Sequence, residues 1–200
     1  MKSTIKKISY AVLFTAISVL TVNAQNATKW EIDKNHTSVN FSINHFFSAV
    51  TGKFTKFDGS VNFDQANIKE SKVTFTIPVS GVNTQNEKRD NHLQSGDFFD
   101  AEKYPVMTFT STRFEKKSDT DYLVYGKLTI RDKTKDIVLP LKIKGEMEHP
   151  MMKGTIILGL SLNTTVNRTD YGVGTGSWAA TMVVGDEVDI EIHMELNKML

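Results

Sequence analysis

From Val39 onward the chain alternates apolar and polar residues with a period of two, the mark of strands that bury one face. Val39, Phe41 and Ile43 alternate with Asn40, Ser42 and Asn44. Phe57, Gly59, Val61 and Phe63 form a second row, and Val73, Phe75, Ile77 and Val79 a third. Met107 and Phe109 begin a fourth. Tyr122, Val124, Gly126, Leu128 and Ile130 share one parity, and Ile137, Leu139, Leu141, Ile143 and Met147 share the next, against Lys142, Lys144 and Glu146. Ile156, Leu158, Leu160 and Leu162 follow. Val188, Ile190, Ile192, Met194 and Leu196 close the series against Asp189, Glu191, His193 and Glu195. The pattern predicts an all-β domain of about eight strands joined mostly by short polar turns, such as Lys116–Asp119 and Arg131–Lys133. One apolar face per strand fits a sheet curled around a single interior. An eight-stranded antiparallel barrel is just wide enough for filling side chains or one small ligand, and closure removes exposed edges. Pro78 cannot donate a ladder hydrogen bond, so its end of strand three is expected to be an edge or a bulge.

One segment breaks the alternation. Thr84-Gln85-Asn86-Glu87 has the form of a capping box, and Gly96 stands where a helix would stop. A short helix from about Gln85 to Ser95 is expected in the connection between strands three and four. It would carry Arg89, His92 and Leu93 on one face, placed to cover an open end of the barrel.

The N-terminus changes the picture of where the protein works. Lys2, Lys6 and Lys7 precede an apolar run from Ile8 to Val22, and Val22-Asn23-Ala24 offers small residues for cleavage. This reads as a signal peptide over residues 1–24. The run is shorter than the roughly 20 residues that span a bilayer. No cysteine follows it for lipid attachment. The expected mature protein starts near Gln25, lies free in the periplasm or outside the cell, and forms one domain over residues 25–200. The chain has no cysteine at all, so the core alone must hold the fold, and thiol catalysis and cysteine zinc sites are excluded. A net charge of +1 gives no bias toward nucleic acid.

Several motifs follow one another along the chain. They are Trp30, Ile32, Asp33, His36, Ser38, Val39, Phe41 and His45; Gly52-Lys53-Phe54; Phe57-Asp58-Gly59; Arg89-Asp90-Asn91-His92-Leu93; and Asp97-Phe98-Phe99-Asp100 with Tyr104-Pro105. Phe109 and Ser111, Gly126-x-Leu128-Thr129-Ile130, Thr134-Lys135, Arg168-x-Asp170-Tyr171-Gly172 and Gly185-Asp186-x-Val188 complete the set. In order and spacing these motifs resemble the YceI-like family of periplasmic polyisoprenoid- or lipid-binding proteins. Asp132-Lys133 and Tyr171 depart from the family pattern; the second would add a hydroxyl if that region lines the interior. The resemblance implies a lipocalin-like eight-stranded barrel with a long apolar tunnel. It also implies a carrier role for an isoprenoid, an isoprenoid quinone or another long-chain lipid, with no cofactor beyond that ligand. Transient membrane contact and a homodimer are compatible with it.

Parity alone cannot tell a filled core from a tunnel, since both need apolar side chains. With the resemblance added, the expected lining is Phe41, Ile43, Phe54, Phe75, Ile77, Phe109, Leu128, Leu139, Leu141, Leu158, Leu160, Ile190 and Ile192. Each buried methylene of a ligand would contribute about 0.8 kcal/mol. His45, Arg89, His92, Arg168 and Tyr171 are the candidates to meet a polar head group. The competing structural roles are an ion pair of Arg89 with an acid such as Asp97, packing of His92 against the helix, and an Arg168–Asp170 pair beside a turn. The five histidines show no metal-ligand spacing, so no metal site is expected. Gly172–Gly176 lacks the strand-then-helix context of a dinucleotide loop. No nucleophile elbow or Ser/His/Asp set is assignable, so the protein is not expected to be an enzyme. Two alternatives stand beside the carrier: an exported enzyme using His45 or His92 as base, and a solid-core, stress-associated interaction protein.

Overall fold

The computed structural model describes residues 27–200; the expected signal peptide lies outside them. Eleven strand segments among the described residues form one antiparallel sheet closed on itself. They build eight staves, because three staves are broken in two. β1 (Lys29–Ile32) and β2 (Ser38–His45) make the first stave. β3 (Ser48–Phe54) and β4 (Asp58–Asn62) make the second. β5 (Lys72–Pro78) and the two-residue β6 (Val82–Asn83) make the third. β7 (Val106–Lys116), β8 (Asp121–Ile130), β9 (Lys133–Glu148), β10 (Thr155–Asn167) and β11 (Val184–Met199) are unbroken. Each stave pairs with the next in sequence, and β11 returns to β1 and β2, as in Glu31 opposite Asn197 and Ile190 opposite Phe41. The expected eight-stranded barrel is therefore present, in up-and-down order.

Two bulges explain where the alternation of the sequence stops being a guide. On β7 the register moves from Ser111–Gly126 to Arg113–Tyr125, so Thr112 is an extra residue and the inward parity passes from Phe109 to Phe114. On β9 Lys144 is extra, between the pairs Gly159–Gly145 and Leu160–Ile143. Met147, grouped with the inward row by parity, is thereby turned outward and is 59% exposed. β3 has no apolar run of its own to announce it. Its inward positions are Val50, Gly52 and Phe54, and the glycine sits under the Phe41 ring, where a Cβ would come within 2.4 Å.

The helix α1 (Glu87–Gln94) forms where expected, but its ends are built differently. Asn86, not Thr84, is the N-cap; its side chain accepts the Arg89 N–H at 3.0 Å. Gln85 has φ +60, outside the helical region, which rules out the capping box. Ser95 ends the helix, its N–H and hydroxyl both donating to the His92 carbonyl. Pro78 is neither an edge nor a bulge. It is the last residue of β5, paired with Val106, where a 3-10 turn over Val79–Gly81 takes over.

The four connections at one end, the mouth, are the β2–β3 tip, the stretch from β5 to β7 that carries α1, the Arg131–Asp132 turn and the 168–183 loop. The opposite end holds a packed floor. Trp30 (4% exposed), Tyr122 (1%), Leu158 (0%) and Leu196 (0%) fill it. Trp30 Nε1 donates to the Phe63 carbonyl at 2.8 Å, and the Tyr122 ring stands edge-on to Phe63.

Candidate functional site

The barrel above the floor is hollow. A cavity of about 750 Å³ runs from Phe63 and Phe114 up to Arg89, His92 and Trp178 at the mouth, with an almost wholly apolar wall. It is of the size of a small-molecule site. At roughly 30 Å³ for a water-sized group, it holds on the order of 25 methylene-sized groups.

Inward glycines keep this space open. Gly59 faces Phe75 across the β4–β5 ladder, and Gly126 lies under Phe109, where a Cβ would come within 2.5 Å of the ring. With Gly52 beneath Phe41, three phenylalanines lie along the wall over glycines instead of projecting into the lumen.

Phe41, Ile43, Phe54, Phe75, Ile77, Phe109, Leu128, Leu139, Leu141, Leu160, Ile190 and Ile192 all border the cavity. Leu158 does not, which corrects the expectation for it. It shares the parity of Leu160 but lies one pair lower, opposite Leu196 in the floor, with no exposure at all. Phe63, Phe114, Val124, Met107 and Met194 border the cavity as well. Phe114 escaped sequence reading because of the β7 bulge; the others stood in the inward rows.

The ladder between β9 and β10 reaches toward the mouth only as far as Leu141–Leu162. The next residue on β9 is Pro140, which has no N–H to offer. Beyond it no ladder pair joins Lys133–Pro140 to Asn163–Asn167, and an ion pair from Lys135 Nζ to Asp170 Oδ1 at 3.1 Å spans the seam.

At the mouth, the polar candidates separate into distinct roles. Arg168 is buried, and burial holds its guanidinium below the ordinary arginine range, partly offset by Asp186. All five of its donors are spent on backbone carbonyls. Nε binds Gly185 at 2.7 Å, Nη1 binds Val173 at 2.8 Å and Gly174, and Nη2 binds Trp178 and Val184, each at 2.9 Å. Arg168 therefore ties the 168–185 loop together and has no donor left for a ligand, which corrects its place among the head-group candidates. Its expected partner Asp170 pairs with Lys135 instead. Gly174, at φ +61, packs against Arg168 and Phe98 too closely for any side chain. Tyr171 does not border the cavity. It is 2% exposed within the apolar core, and burial pushes its phenol up, so its hydroxyl does not serve the lumen.

Arg89, His92 and Leu93, predicted to share a helix face, all border the cavity. His92 Nε2 meets Asp97 Oδ2 at 2.9 Å, and its ring packs edge-on against Phe98 and Trp178, each 5.0 Å away. The His92 hydrogen bond is the main cause that holds the Asp97 carboxyl below its usual range, with Trp178 helping. Asp97 thus belongs to His92 and not to Arg89. Arg89 Nε donates to Thr84 Oγ1 at 2.7 Å and Nη2 to the Thr84 carbonyl at 2.8 Å. His45 stands exposed at the rim, edge-on to Phe46. Chemically, the site offers an apolar chamber with hydrogen-bond donors at one end. The described residues place no hydroxyl within hydrogen-bond reach of the His92 ring nitrogens.

Away from the cavity, the kink between β1 and β2 brings Asp33, His36 and Glu195 together, with one ligand atom of each within 4.8 Å of the others. Sequence spacing could not show this, because Glu195 comes from the far end of the chain. The group is accounted for by its own hydrogen bonds. Asp33 Oδ1 accepts the N–H groups of Asn35 and His36, and Oδ2 meets His36 Nδ1 at 3.0 Å.

Residues 30–196 match the family described as YceI-like domain. A UPF0312 protein of Vibrio cholerae is 34% identical over 175 residues, covering 86% of this chain and 88% of its own length. One of Staphylococcus aureus is 35% identical over 173 residues, covering 85% and 98%. Among solved structures, the Campylobacter jejuni YCEI protein is similar with a TM-score of 0.71 and 38% identity, covering 84% of this chain and 96% of that one. Burkholderia cenocepacia BcnA is similar with a TM-score of 0.74 and 27% identity, covering 82% and 99%. A polyisoprenoid binding domain from Saccharophagus degradans shares the fold, with a TM-score of 0.63 at 14% identity, covering 86% and 98%.

Proposed function

This chain belongs to the YceI-like family, and from that premise we propose that it is an exported carrier or buffer for a long-chain apolar lipid, of the isoprenoid or isoprenoid-quinone class. One observation carries the reading: a chamber of about 750 Å³ with an almost wholly apolar wall inside a closed barrel, with Arg89 and His92 at its mouth. A lipid tail inside it leaves water, at about 25 cal/mol per Å² of apolar surface. The chamber also speaks against the solid-core alternative. The S. degradans relative is a polyisoprenoid binding domain, a likeness that bears on the fold, so the ligand class rests on the cavity and the family. Export rests on the N-terminal basic, apolar and small-residue order. In this reading Arg89, His92 and His45 are the residues that meet the polar end of the cargo.

The test is mass spectrometry of an organic extract of the protein, purified without detergent from its own host. The expected result is one stoichiometric lipid. A clean extract, together with no uptake of farnesol by the purified protein, would overturn the reading.

A single contact favours a second reading, an exported enzyme with His92 as base: the His92–Asp97 pair at the cavity rim. That reading requires turnover of a small apolar substrate that His92→Ala abolishes.

A further inference from the structure

We infer that the mouth end of the barrel docks on the surface of a lipid bilayer through an apolar finger, the Phe46-Phe47 tip between β2 and β3, with Met182 beside it. The finger is read from the hairpin itself; the choice of a bilayer as its partner rests on the proposal that the cavity is a lipid site.

The ladder between β2 and β3 runs out to the His45–Ser48 pair, so Phe46 and Phe47 alone make the turn. A two-residue hairpin turn needs positive φ, which glycine, asparagine or aspartate supply. Here Phe46 takes φ +51, a conformation that strains a bulky side chain. Phe47 gains nothing from packing, because its side chain is fully exposed. No other Phe, Tyr or Trp among the described residues is exposed. Neither turn chemistry nor the core therefore accounts for two adjacent phenylalanines at this position.

The finger stands at the opening of the cavity. The Phe46 N–H donates to the Val183 carbonyl at 3.0 Å, which ties the tip to the residue after Met182, itself exposed. His45 and Val184, paired across β2 and β11 at the base of the tip, both border the cavity.

Size, shape and charge select the partner. At about 150–250 Å² for each phenylalanine, the finger with Met182 added falls short of the ~800 Å² that each side of a stable protein pair buries. A protruding tip needs a matching pocket in a protein, whereas the headgroup and acyl boundary of a bilayer yields around it. Charge does not draw it there. Lys88 and Arg89 stand at the mouth with Asp97, so the rim carries both signs. Of the 24 Lys and Arg in the chain, three precede Gln25, which leaves fewer than the 23 Asp and Glu. Docking is therefore hydrophobic and independent of anionic lipid. The opposite end also exposes apolar side chains, Met151 and Met199 among them, but the packed floor closes it and gives a lipid no passage.

The experiment is flotation of the full-length mature protein with vesicles of phosphatidylcholine, alone or mixed with phosphatidylglycerol. The wild type is expected to float with both, at low and high salt alike. Phe46→Gly combined with Phe47→Asn supplies the residues that the turn requires. This variant is expected to lose about tenfold or more in vesicle partition. Its melting temperature should be unchanged or raised, and its uptake of farnesol from solution unchanged. Met151→Ser with Met199→Ser is expected to float like the wild type. Phe47→Trp is expected to float and to be quenched by brominated phospholipid.

No flotation of the wild type, or equal flotation of the glycine-asparagine variant, would overturn the inference and leave the lipid-site reading standing. A loss confined to the Met151 and Met199 variant would overturn it, since the floor would then be the docking end. Flotation that needs phosphatidylglycerol and disappears in salt would overturn it in favour of charge. A wild-type dimer in sedimentation velocity that the glycine-asparagine variant breaks would assign the finger to a second copy instead. Flotation that depends on Phe46 and Phe47, with no farnesol uptake by any form, would support the docking surface and overturn the lipid-site reading.

Discussion

The lower and upper parts of the barrel use the same strands and the same alternation, yet one is solid and the other hollow. In the lower part, Trp30, Tyr122, Leu158 and Leu196 meet across the axis with almost no exposure. In the upper part, Gly52, Gly59 and Gly126 take inward positions, and Phe41, Phe75 and Phe109 lie over them against the wall. The ladders differ as well. β10 pairs with β9 continuously below Leu162, apart from one bulge, and not at all above it. The comparison teaches that a barrel of this size is filled or emptied by a few inward residues. A large side chain beside another large one closes the axis; a large one beside a glycine folds down and leaves it open.

The strongest way to break the comparison is to put a charge into the hollow part. Leu141→Asp is expected to lower farnesol affinity by about 100-fold or more, because an unpaired carboxylate in an apolar chamber costs several kcal/mol. Circular dichroism would establish that the variant is folded. Unchanged affinity would show that cargo does not reach Leu141.

Truncation should sort the two parts by stability. Leu158→Ala in the floor is expected to cost about 2–5 kcal/mol in urea denaturation of the lipid-free protein, since it opens a void in packed surroundings. Leu139→Ala faces space already empty and is expected to cost about 1 kcal/mol, the transfer part alone. Equal costs would mean that the upper part is packed like the floor.

A subtler change would sharpen the role of the glycines. Gly126→Ala brings a methyl within 2.5 Å of the Phe109 ring and 2.6 Å of the Thr110 carbonyl, so the ring is displaced from the wall and the β7–β8 ladder has to give as well. A stability loss of about 1–3 kcal/mol is expected. Uptake of a bulky prenyl ligand should fall more than uptake of a short one. Equal uptake of both would show that Phe109 finds room elsewhere.

The smallest effect lies outside the cavity, at the kink that joins β1 to β2. The hydrogen bond to His36 is the main cause that holds the Asp33 carboxyl below its ordinary 3.8, and the same contact raises His36 above 6.5. The Asp33 contribution is present above about 3.8 and is lost as pH falls through the lowered value. The His36 contribution is full below about 6.5 and is lost as pH rises through the raised value. The wild type should therefore exceed His36→Asn in melting temperature most between those limits, and the gap should close at alkaline pH. The pair is solvent-exposed, so the gap is small. A gap that widens at alkaline pH would contradict the contact.

Much of this architecture was legible in the chain. Period-two rows gave the stave count, and the expected span Gln85 to Ser95 contains the helix Glu87–Gln94 to within two residues at either end. Arg89, His92 and Leu93, which share a helix face by spacing, border the chamber. At Phe114 and Met147 the reading failed because of one inserted residue in each strand. Thr112 and Lys144 shift parity without any compositional mark, which hid Phe114 and misplaced Met147. β3 was missed because the centre of its inward row is a glycine, Gly52, which breaks the apolar alternation between Val50 and Phe54.

Local sequence by itself determined which residues share a face between bulges, where most of the staves turn and where the cations stand. It did so because side-chain direction in a strand and a helix is fixed by backbone period. Only the tertiary structure decided whether the inward face encloses a space. Parity assigns Leu158 and Leu160 alike, while closure sets one against Leu196 in the floor and the other against an open lumen. The same holds at the mouth. Arg89 and Arg168 are equal candidates as letters, but Arg168 is enclosed by five carbonyls drawn from a loop and a strand end, and Arg89 keeps an edge free. Availability of a donor depends on what the fold brings to it, and that is a property of neighbours distant in sequence.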